Sequence, residues 1–380
     1  MRRRAGGLGG ALADPIYIFA GGGTGGHVYP GLAVAAELAR LEPAARVVFA
    51  CSSRPIDRQI LHRTEYAVVA QPVRPMPRGL RGWLGFARAY LSSAAQARQM
   101  VADLRPAAAL GLGGFAAGPI VCRAAKAGVR TGLLNPDAVP GKANRMLARR
   151  VDAIFTQFDG TAGHFAGRAR ARVRAVGCPV RREFALARRQ EALRHFGLRP
   201  DRRTLLVNGG SLGAASINEA VGCLLDELAE VEQTWQVLHV TGRSKAARDR
   251  VSPASLPIRV LEYCRRMDLA YAAADLALSR AGAGTVAELA ASGTPAVLMP
   301  YPFHADQHQK LNAQPLCEAG AAVLCEDGKV AEVNAPRLRD VLLPILREPR
   351  RLERMRGAAA ATPGRDAAGK VARWLLGQGA

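Results

Sequence analysis

Short apolar runs separated by stretches of helical period fill most of the chain. Between residues 14 and about 177 they read IYIF, RVVFA, YAVVA, AAALGLG, TGLL, AIFTQ and RAVG. This is the rhythm of a parallel, doubly wound sheet in which a crossover helix follows each strand. After IYIF, apolar residues at Val28, Leu32, Ala35 and Ala39 share one helical face. Pro30 is expected in that helix's first turn, where a missing N–H costs nothing. Pro179, an arginine-rich helical pattern and the turn GLRPDRR interrupt the alternation at 178–203. The rhythm then restarts with TLLVNGGSLGAASINEAV (204–221), WQVLHVTG (235–242), IRVLEYC (258–264), LALSRAGAGTVAELAASG (276–293) and AVLMPY (296–301). The pattern predicts a loose extension at 1–13, a first domain at 14–177, a junction at 178–203, a second domain at 204–351 and a helical tail at 352–380.

The two domains open alike. IYIFAGGGTGGHVYPGLAVAAEL and LLVNGGSLGAASINEAVGCLL each read as strand, glycine-rich turn and helix. Two such α/β domains in tandem leave a cleft between the carboxyl ends of their strands, where ligands of open sheets bind. Gly21, Gly23 and Gly26 satisfy the dinucleotide spacing G-x-G-x-x-G. Yet RVVFA runs into Cys51-Ser52-Ser53-Arg54, without the carboxylate that would hold a ribose, and no G-x-x-x-x-G-K-[ST] occurs. NAD and ATP are therefore disfavoured. A second glycine turn, GLGGFAAGP (111–119), is expected on the same lip, and paired turns of this kind suit a diphosphate.

In the second domain, Ser211 of NGGSLGA and the helix amides behind it are expected to face a phosphate across the cleft. Thr285 and Glu288 fit a T-x-x-E capping box; Glu288 could instead accept both hydroxyls of a ribose. PYPFHADQHQKLNA (300–313) reads as a polar loop carrying His304, Asp306, Gln307, His308, Gln309 and Asn312. Its amides and carboxylates suit sugar hydroxyls better than a metal. His27 sits at a helix N-terminus, which disfavours positive charge, so a neutral imidazole able to take a proton is expected there.

Composition narrows the setting. With 380 residues, 49% of them hydrophobic, the chain can bury two ordinary cores. Lys and Arg outnumber Asp and Glu by 53 to 31, a net charge of +22 that favours a polyanion or an anionic membrane face. Aromatics are only 5% and are not interleaved with the arginines, so a nucleic-acid platform is not supported. Seven scattered cysteines without a C-x-x-C pair point to reduced thiols in a cytosol. No apolar run approaches the roughly 20 residues of a membrane span, and MRRRAGGLGGALAD lacks the apolar core of a secretory signal. MPRGLRGWLGFARAYL (76–91) mixes Arg78, Arg81 and Arg88 with Trp83, Leu84, Phe86 and Leu91. It reads either as a patch resting on an anionic leaflet or as an amphipathic helix on the core.

Taken together and in order, GGGTGGHVYPGLAVAAEL, GLGGFAAGP, GCPVRREF, NGGSLGAASINEAV, RAGAGTVAELAASGTPAVLMPYP and DQHQKLNA resemble the MurG family over residues 16–330. That family transfers N-acetylglucosamine in bacterial peptidoglycan synthesis. The resemblance implies a GT-B architecture of two Rossmann-like domains, with a C-terminal helix crossing back to the first. It implies UDP-N-acetylglucosamine in the second domain and lipid I, a polyprenyl diphosphate, in the first. The reaction would be inverting transfer to the muramic acid 4-hydroxyl, giving lipid II. It would run peripherally at the cytoplasmic face of the cell membrane, with no metal or other cofactor and no nucleic-acid partner.

Carried over position by position, the donor contacts are Thr24, Gly25, Gly26, Asp137, Arg181, Ser211, Ala283, Gly284, Thr285, Val286, Ala287, Glu288 and Gln309, with the Cys264 backbone beside the uracil. Gly21, Gly22, Gly23, Gly113 and Gly114 would cradle the acceptor diphosphate. His27 would be the base, Ser211 and Arg181 would steady the leaving diphosphate, and Arg78, Arg81, Trp83 and Phe86 would face the membrane. The chain departs from the pattern at Leu134-Asn135-Pro136-Asp137, where the family has His-Glu-Gln-Asn, and at Cys178 and Leu212, where it has Asn and Gln. These departures keep open a related UDP-sugar transferase with a different lipid or small-molecule acceptor. A UDP-N-acetylglucosamine epimerase of the same architecture needs several cleft carboxylates, which the N-terminal half is not expected to offer.

Overall fold

In the computed structural model, the described residues are 14–75, 77, 79, 82–210, 213–231, 233–242, 256–303, 306–362 and 366–379. They form two parallel sheets. The first holds β1 (Ile16–Gly21), β2 (Arg46–Ser52), β3 (Ala67–Gln71), β4 (Ala108–Gly113), β5 (Arg130–Asn135), β6 (Ala153–Thr156) and β7 (Val173–Ala175), in the order β3-β2-β1-β4-β5-β6-β7. The second holds β8 (Arg203–Asn208), β9 (Trp235–Val240), β10 (Ile258–Leu261), β11 (Leu276–Ser279), β12 (Ala296–Leu298) and β13 (Ala322–Leu324), in the order β10-β9-β8-β11-β12-β13.

Both sheets are covered on their two faces. Their central strands are therefore continuous apolar runs: Ile18, Phe19, Phe49, Leu110 and Leu133 are fully buried in the first, and Leu206, Leu238 and Leu278 in the second. Strand order reverses between β1 and β4, and again between β8 and β11. Loops leaving a sheet at such a switch point diverge and open a crevice. The four glycine-bearing turns noted in the sequence all leave these four strands.

Two local readings are corrected. Pro30 lies in the second turn of the helix Gly25–Leu41, not the first, so its missing N–H leaves the Gly26 carbonyl without a helical partner. The polar loop expected at 300–313 turns helical at His308, and the helix His308–Glu318 buries Asn312, Ala313 and Leu316. It leads to β13, whose three residues are too few to show a period of two.

The tail is two helices. Pro349–Ala361 packs on the second domain through Leu352 and Met355. Ala367–Leu375 crosses back and seats Val371, Trp374 and Leu375 in the first domain's core. There Trp374 meets Phe155 edge-on at 5.3 Å, and Arg130 donates to the Trp374 carbonyl at 2.8 Å.

The helix Trp83–Leu104 separates its two uses along its length. Its buried residues are Ser93, Ala97, Met100 and Val101, all in the C-terminal part. The other end displays Leu84 and Leu91, 77% and 68% exposed, beside an aromatic ladder of Trp83, Phe86 and Tyr90 with centroid spacings of 5.6 and 6.3 Å. Arg78 and Arg81 lie outside the described residues. Among those described, no helix is long and apolar enough to cross a membrane.

Candidate active site

The turn after β1 carries Gly21–Thr24 into the helix Gly25–Leu41. A buried carboxylate fixes it: Asp57, from the helix Pro55–Leu61, accepts the Gly23 N–H at 2.8 and 2.9 Å and also accepts from the Ser52 hydroxyl. Residue 22 must be glycine, because a Cβ there would come within 2.4 Å of Asp57 Oδ2. Arg54 holds the next carbonyl, donating to Gly23 O at 3.2 Å while lying over the Phe115 ring. The Gly23 amide is thus spent inside the protein. The amides still open to an anion are those of Thr24, Gly25 and Gly26 at the start of the helix.

His27 is in that first turn. Its Nδ1 lies 3.2 Å from the Gly22 carbonyl and 3.2 Å from the Thr24 hydroxyl. A carbonyl oxygen only accepts, so Nδ1 carries the proton of the neutral ring and Nε2 keeps its lone pair. The turn after β4 packs against the imidazole: a Cβ on Gly113 would sit 2.9 Å from His27 Cδ2, and one on Gly114 3.3 Å from Cε1. These two glycines let the ring lie flush on the backbone. The His27 pKa is lowered from its ordinary value chiefly by burial, against the opposing pull of Asp137, the Gly22 carbonyl and Asp57. Desolvation, and not the helix N-terminus, is the main pull toward the neutral ring.

The segment after β5 is knitted by amides that sequence reasoning passed over. Asn144 donates to Leu134 O at 3.1 Å and to Asn135 Oδ1 at 2.9 Å, and Asn135 donates to the Asp137 carbonyl at 2.8 Å. Asp137 Oδ1 accepts from Asn312 of the second domain at 3.0 Å.

On the opposite wall, the helix Ala283–Ser292 starts from Gly282, so no capping box forms at Thr285. Glu288 is therefore not spent on a backbone amide. Its pKa is pushed up to about 7 by burial, with Arg181 and the hydroxyl of Tyr271 pulling the other way. Arg181 is sandwiched between the rings of Tyr29 and Phe184 at 5.5 and 5.2 Å. Tyr29, on the first domain's helix, meets Tyr263 next to Cys264 hydroxyl to hydroxyl at 3.1 Å. Gln309 accepts the Tyr301 N–H at 2.9 Å through Oε1, which aims its NH₂ elsewhere.

Arg280 was another residue the sequence reading passed over. It donates to Met299 O (3.0 Å), Ser216 Oγ (2.8 Å) and Asp327 Oδ2 (2.7 Å), binding the helix after β8 to the segments that follow β11, β12 and β13. A charge directly after the apolar run LALS was its one visible signal.

Thr24–Gly26, His27, Gly113, Gly114 and Asp137 gather on one wall, and Arg181, Cys264 and 283–288 on the other. Asp306 pairs with His308 Nδ1 at 2.8 Å. Ser211, Leu212 and His304 lie outside the described residues.

Comparison with known proteins decides what this crevice belongs to. Residues 17–156 match the glycosyltransferase family 28 N-terminal domain and residues 204–371 its C-terminal domain. A Desulforudis audaxviator protein named UDP-N-acetylglucosamine–N-acetylmuramyl-(pentapeptide) pyrophosphoryl-undecaprenol N-acetylglucosamine transferase is 37% identical, over 90% of this chain and 93% of its own. The protein of the same name from Chlorobaculum tepidum is 38% identical, with the same coverage. The crystal structure of Acinetobacter baumannii MurG superposes with a TM-score of 0.71 at 26% identity, covering 96% of this chain and 99% of that one. The chain belongs to the MurG family of glycosyltransferases.

It is thus a GT-B glycosyltransferase, and the unusual positions can be read as variations within MurG. Two carboxylates of the N-terminal half, Asp57 and Asp137, approach His27. Each is committed to a protein hydrogen bond, one to Gly23 and one to Asn312.

Proposed function

We propose that this chain carries out the reaction for which its relatives are named. N-acetylglucosamine passes from UDP-N-acetylglucosamine to the 4-hydroxyl of the muramic acid in lipid I, giving lipid II. The observation that carries the mechanism is the His27 ring, whose Nδ1–H is turned onto the Gly22 carbonyl so that Nε2 is left as a base between the two glycine turns. Nε2 takes the hydroxyl proton as the acceptor oxygen attacks the anomeric carbon. The bond to UDP breaks on the opposite face, and a single displacement inverts the α-linked donor to a β-linked product.

Glu288 accepts the ribose hydroxyls, helped by its freedom from any capping role. Arg181, held flat between two rings, presents its charge to the departing diphosphate, together with Ser211 and the helix amides behind it. Gln309 offers its NH₂ to the sugar. The amides of Thr24, Gly25 and Gly26 take the acceptor diphosphate, and Gly21, Gly22, Gly23, Gly113 and Gly114 allow its close approach. No step is routed through a metal. The exposed end of the helix Trp83–Leu104 supports peripheral attachment to the anionic face where a polyprenyl acceptor resides.

The test is UDP release from UDP-N-acetylglucosamine by purified protein, with and without a lipid I analogue. Release that depends on the acceptor supports transfer; acceptor-independent release, or conversion of the sugar nucleotide itself, sinks it. His27→Ala should lower turnover by roughly 10²–10⁴-fold while donor affinity is kept. Retained turnover would remove the imidazole from the mechanism.

A further inference from the structure

The Gly22 carbonyl that receives the His27 proton and the Gly23 N–H that Asp57 grips belong to one peptide group. The order is Asp57 carboxylate, Gly23 N–H, Gly22 C=O, His27 Nδ1–H, with contacts of 2.8 and 2.9 Å at one end and 3.2 Å at the other. We propose that Asp57 is a positioning residue for His27, acting through this peptide: a carboxylate–peptide–imidazole relay in which a backbone amide stands between acid and base. The proposal rests on the reading of His27 as the base.

The physics follows from polarisation along a hydrogen-bonded chain. A carboxylate accepting from the N–H end of an amide draws charge toward its carbonyl oxygen, making that oxygen a stronger acceptor. Gly22 O then fixes the Nδ1–H tautomer and stabilises the imidazolium that forms when Nε2 takes a proton. Only the acceptor's proton moves, from its hydroxyl to Nε2. The relay needs a carboxylate that cannot wander. Asp57 is 1% exposed, and its second oxygen is occupied by Ser52.

It also needs a peptide that cannot flip. Glycine at 22 admits Asp57, and Arg54 clamps the next carbonyl. The other groups facing the imidazole are the Thr24 hydroxyl, the backbone of Gly113 and Gly114, and the Asp137 carboxylate, which acts through space.

Asp57→Asn separates charge from shape. An asparagine oxygen still accepts the Gly23 N–H and its NH₂ can donate to Ser52, so the turn is kept while the negative charge is lost. Melting temperature and donor KM are expected to stay near wild type. The kcat should fall roughly tenfold, and the His27 pKa and the acid limb of the kcat–pH profile should move down by about 0.5–1 unit. In ¹⁵N NMR of the full wild-type chain, assigned with His27→Gln, the neutral ring should carry its proton on Nδ1.

A neutral ring protonated on Nε2, or an Asp57→Asn protein with unaltered kcat and His27 titration, overturns the relay. Because the tautomer is read on wild type, the proposal stays decidable even if the variant fails to fold. If His27→Ala keeps turnover, the base reading fails first. If His27→Ala is dead and Asp57→Asn is normal, the relay alone fails.

Discussion

Asn312 and Asp137 belong to different domains and share a hydrogen bond of 3.0 Å. Asn312 is fully buried, and it also accepts the Ala138 N–H at 2.8 Å and donates to the Ala281 carbonyl at 3.3 Å. One amide thus ties the segment after β5 to the turn that starts the helix Ala283–Ser292. Asn312→Ala would strand a carboxylate, an N–H and a carbonyl in a place that water reaches poorly. Each stranded group costs about 1–3 kcal/mol, so a loss of roughly 3 kcal/mol or more in urea unfolding is expected. Asp137→Asn keeps an accepting oxygen for Asn312 and should leave stability unchanged. A mild Asn312→Ala would show that the two domains do not depend on this bond.

The ribose contact proposed for Glu288 predicts a pH dependence of donor binding. Burial raises its pKa to about 7, so in the free protein it is largely protonated below neutrality. A raised folded-state pKa contributes stability below the unfolded value, near 4.5, and loses it as pH rises through about 7. Ligand binding runs the other way, because an ionised carboxylate is the better acceptor for two ribose hydroxyls. Affinity for UDP-N-acetylglucosamine, whose diphosphate does not titrate in this range, should rise between pH 6 and pH 8 with proton release on binding. Glu288→Gln should bind roughly tenfold more weakly at pH 8 and lose the pH dependence. Calorimetry in buffers of different ionisation enthalpy reads both, and an unchanged slope in the variant would move the titration to another group.

The parts of this molecule that could be read from sequence are those written in neighbouring residues. Apolar runs of four to seven residues revealed the strands, and glycines revealed the turns at both switch points. Asp57 was invisible because its partner, Gly23, lies 34 residues away, and it sits on the helix after β2 and not at the strand's end. Asn312 and Asp137 are 175 positions apart. The T-x-x-E pattern misled because Gly282 already ends the turn, which moves Thr285 inside the helix. Helix starts are decided by backbone dihedrals, and several short side chains fit the same pattern. Arg280 could not be placed because its partners come from segments that follow other strands.

His239 should make the second domain acid-labile. It is buried on β9, its Nε2–H donates to Asn218 Oδ1 at 2.9 Å, and burial pushes its pKa down to about 4. Here the folded-state value is depressed. The unfolded chain takes up a proton below about 6.5 that the folded one refuses, so stability is present above that pH and drains away as pH falls toward 4. The full swing is about 3 kcal/mol. His239→Gln offers an amide donor without a titrating ring. Its stability, measured by urea unfolding at pH 7 and pH 4.5, should fall less than that of wild type. Equal losses in both proteins would assign the acid sensitivity elsewhere.

The exposed end of the helix Trp83–Leu104 should be a membrane contact with little role in folding. Leu84 and Leu91 are 77% and 68% exposed, so replacing them removes little buried surface and should leave the melting temperature within about a degree. Seating one leucine in a leaflet is worth about 1.5–3 kcal/mol, at least a tenfold change in partitioning. Leu84→Asp and Leu91→Asp should therefore each weaken co-sedimentation with phosphatidylglycerol-containing vesicles about tenfold or more. Turnover of a short-chain, water-soluble acceptor should be unchanged. The net charge of +22 adds an attraction that salt screens, so wild-type binding should decline with ionic strength while the contribution of the leucines persists. Vesicle binding that the aspartates leave intact would reassign this surface.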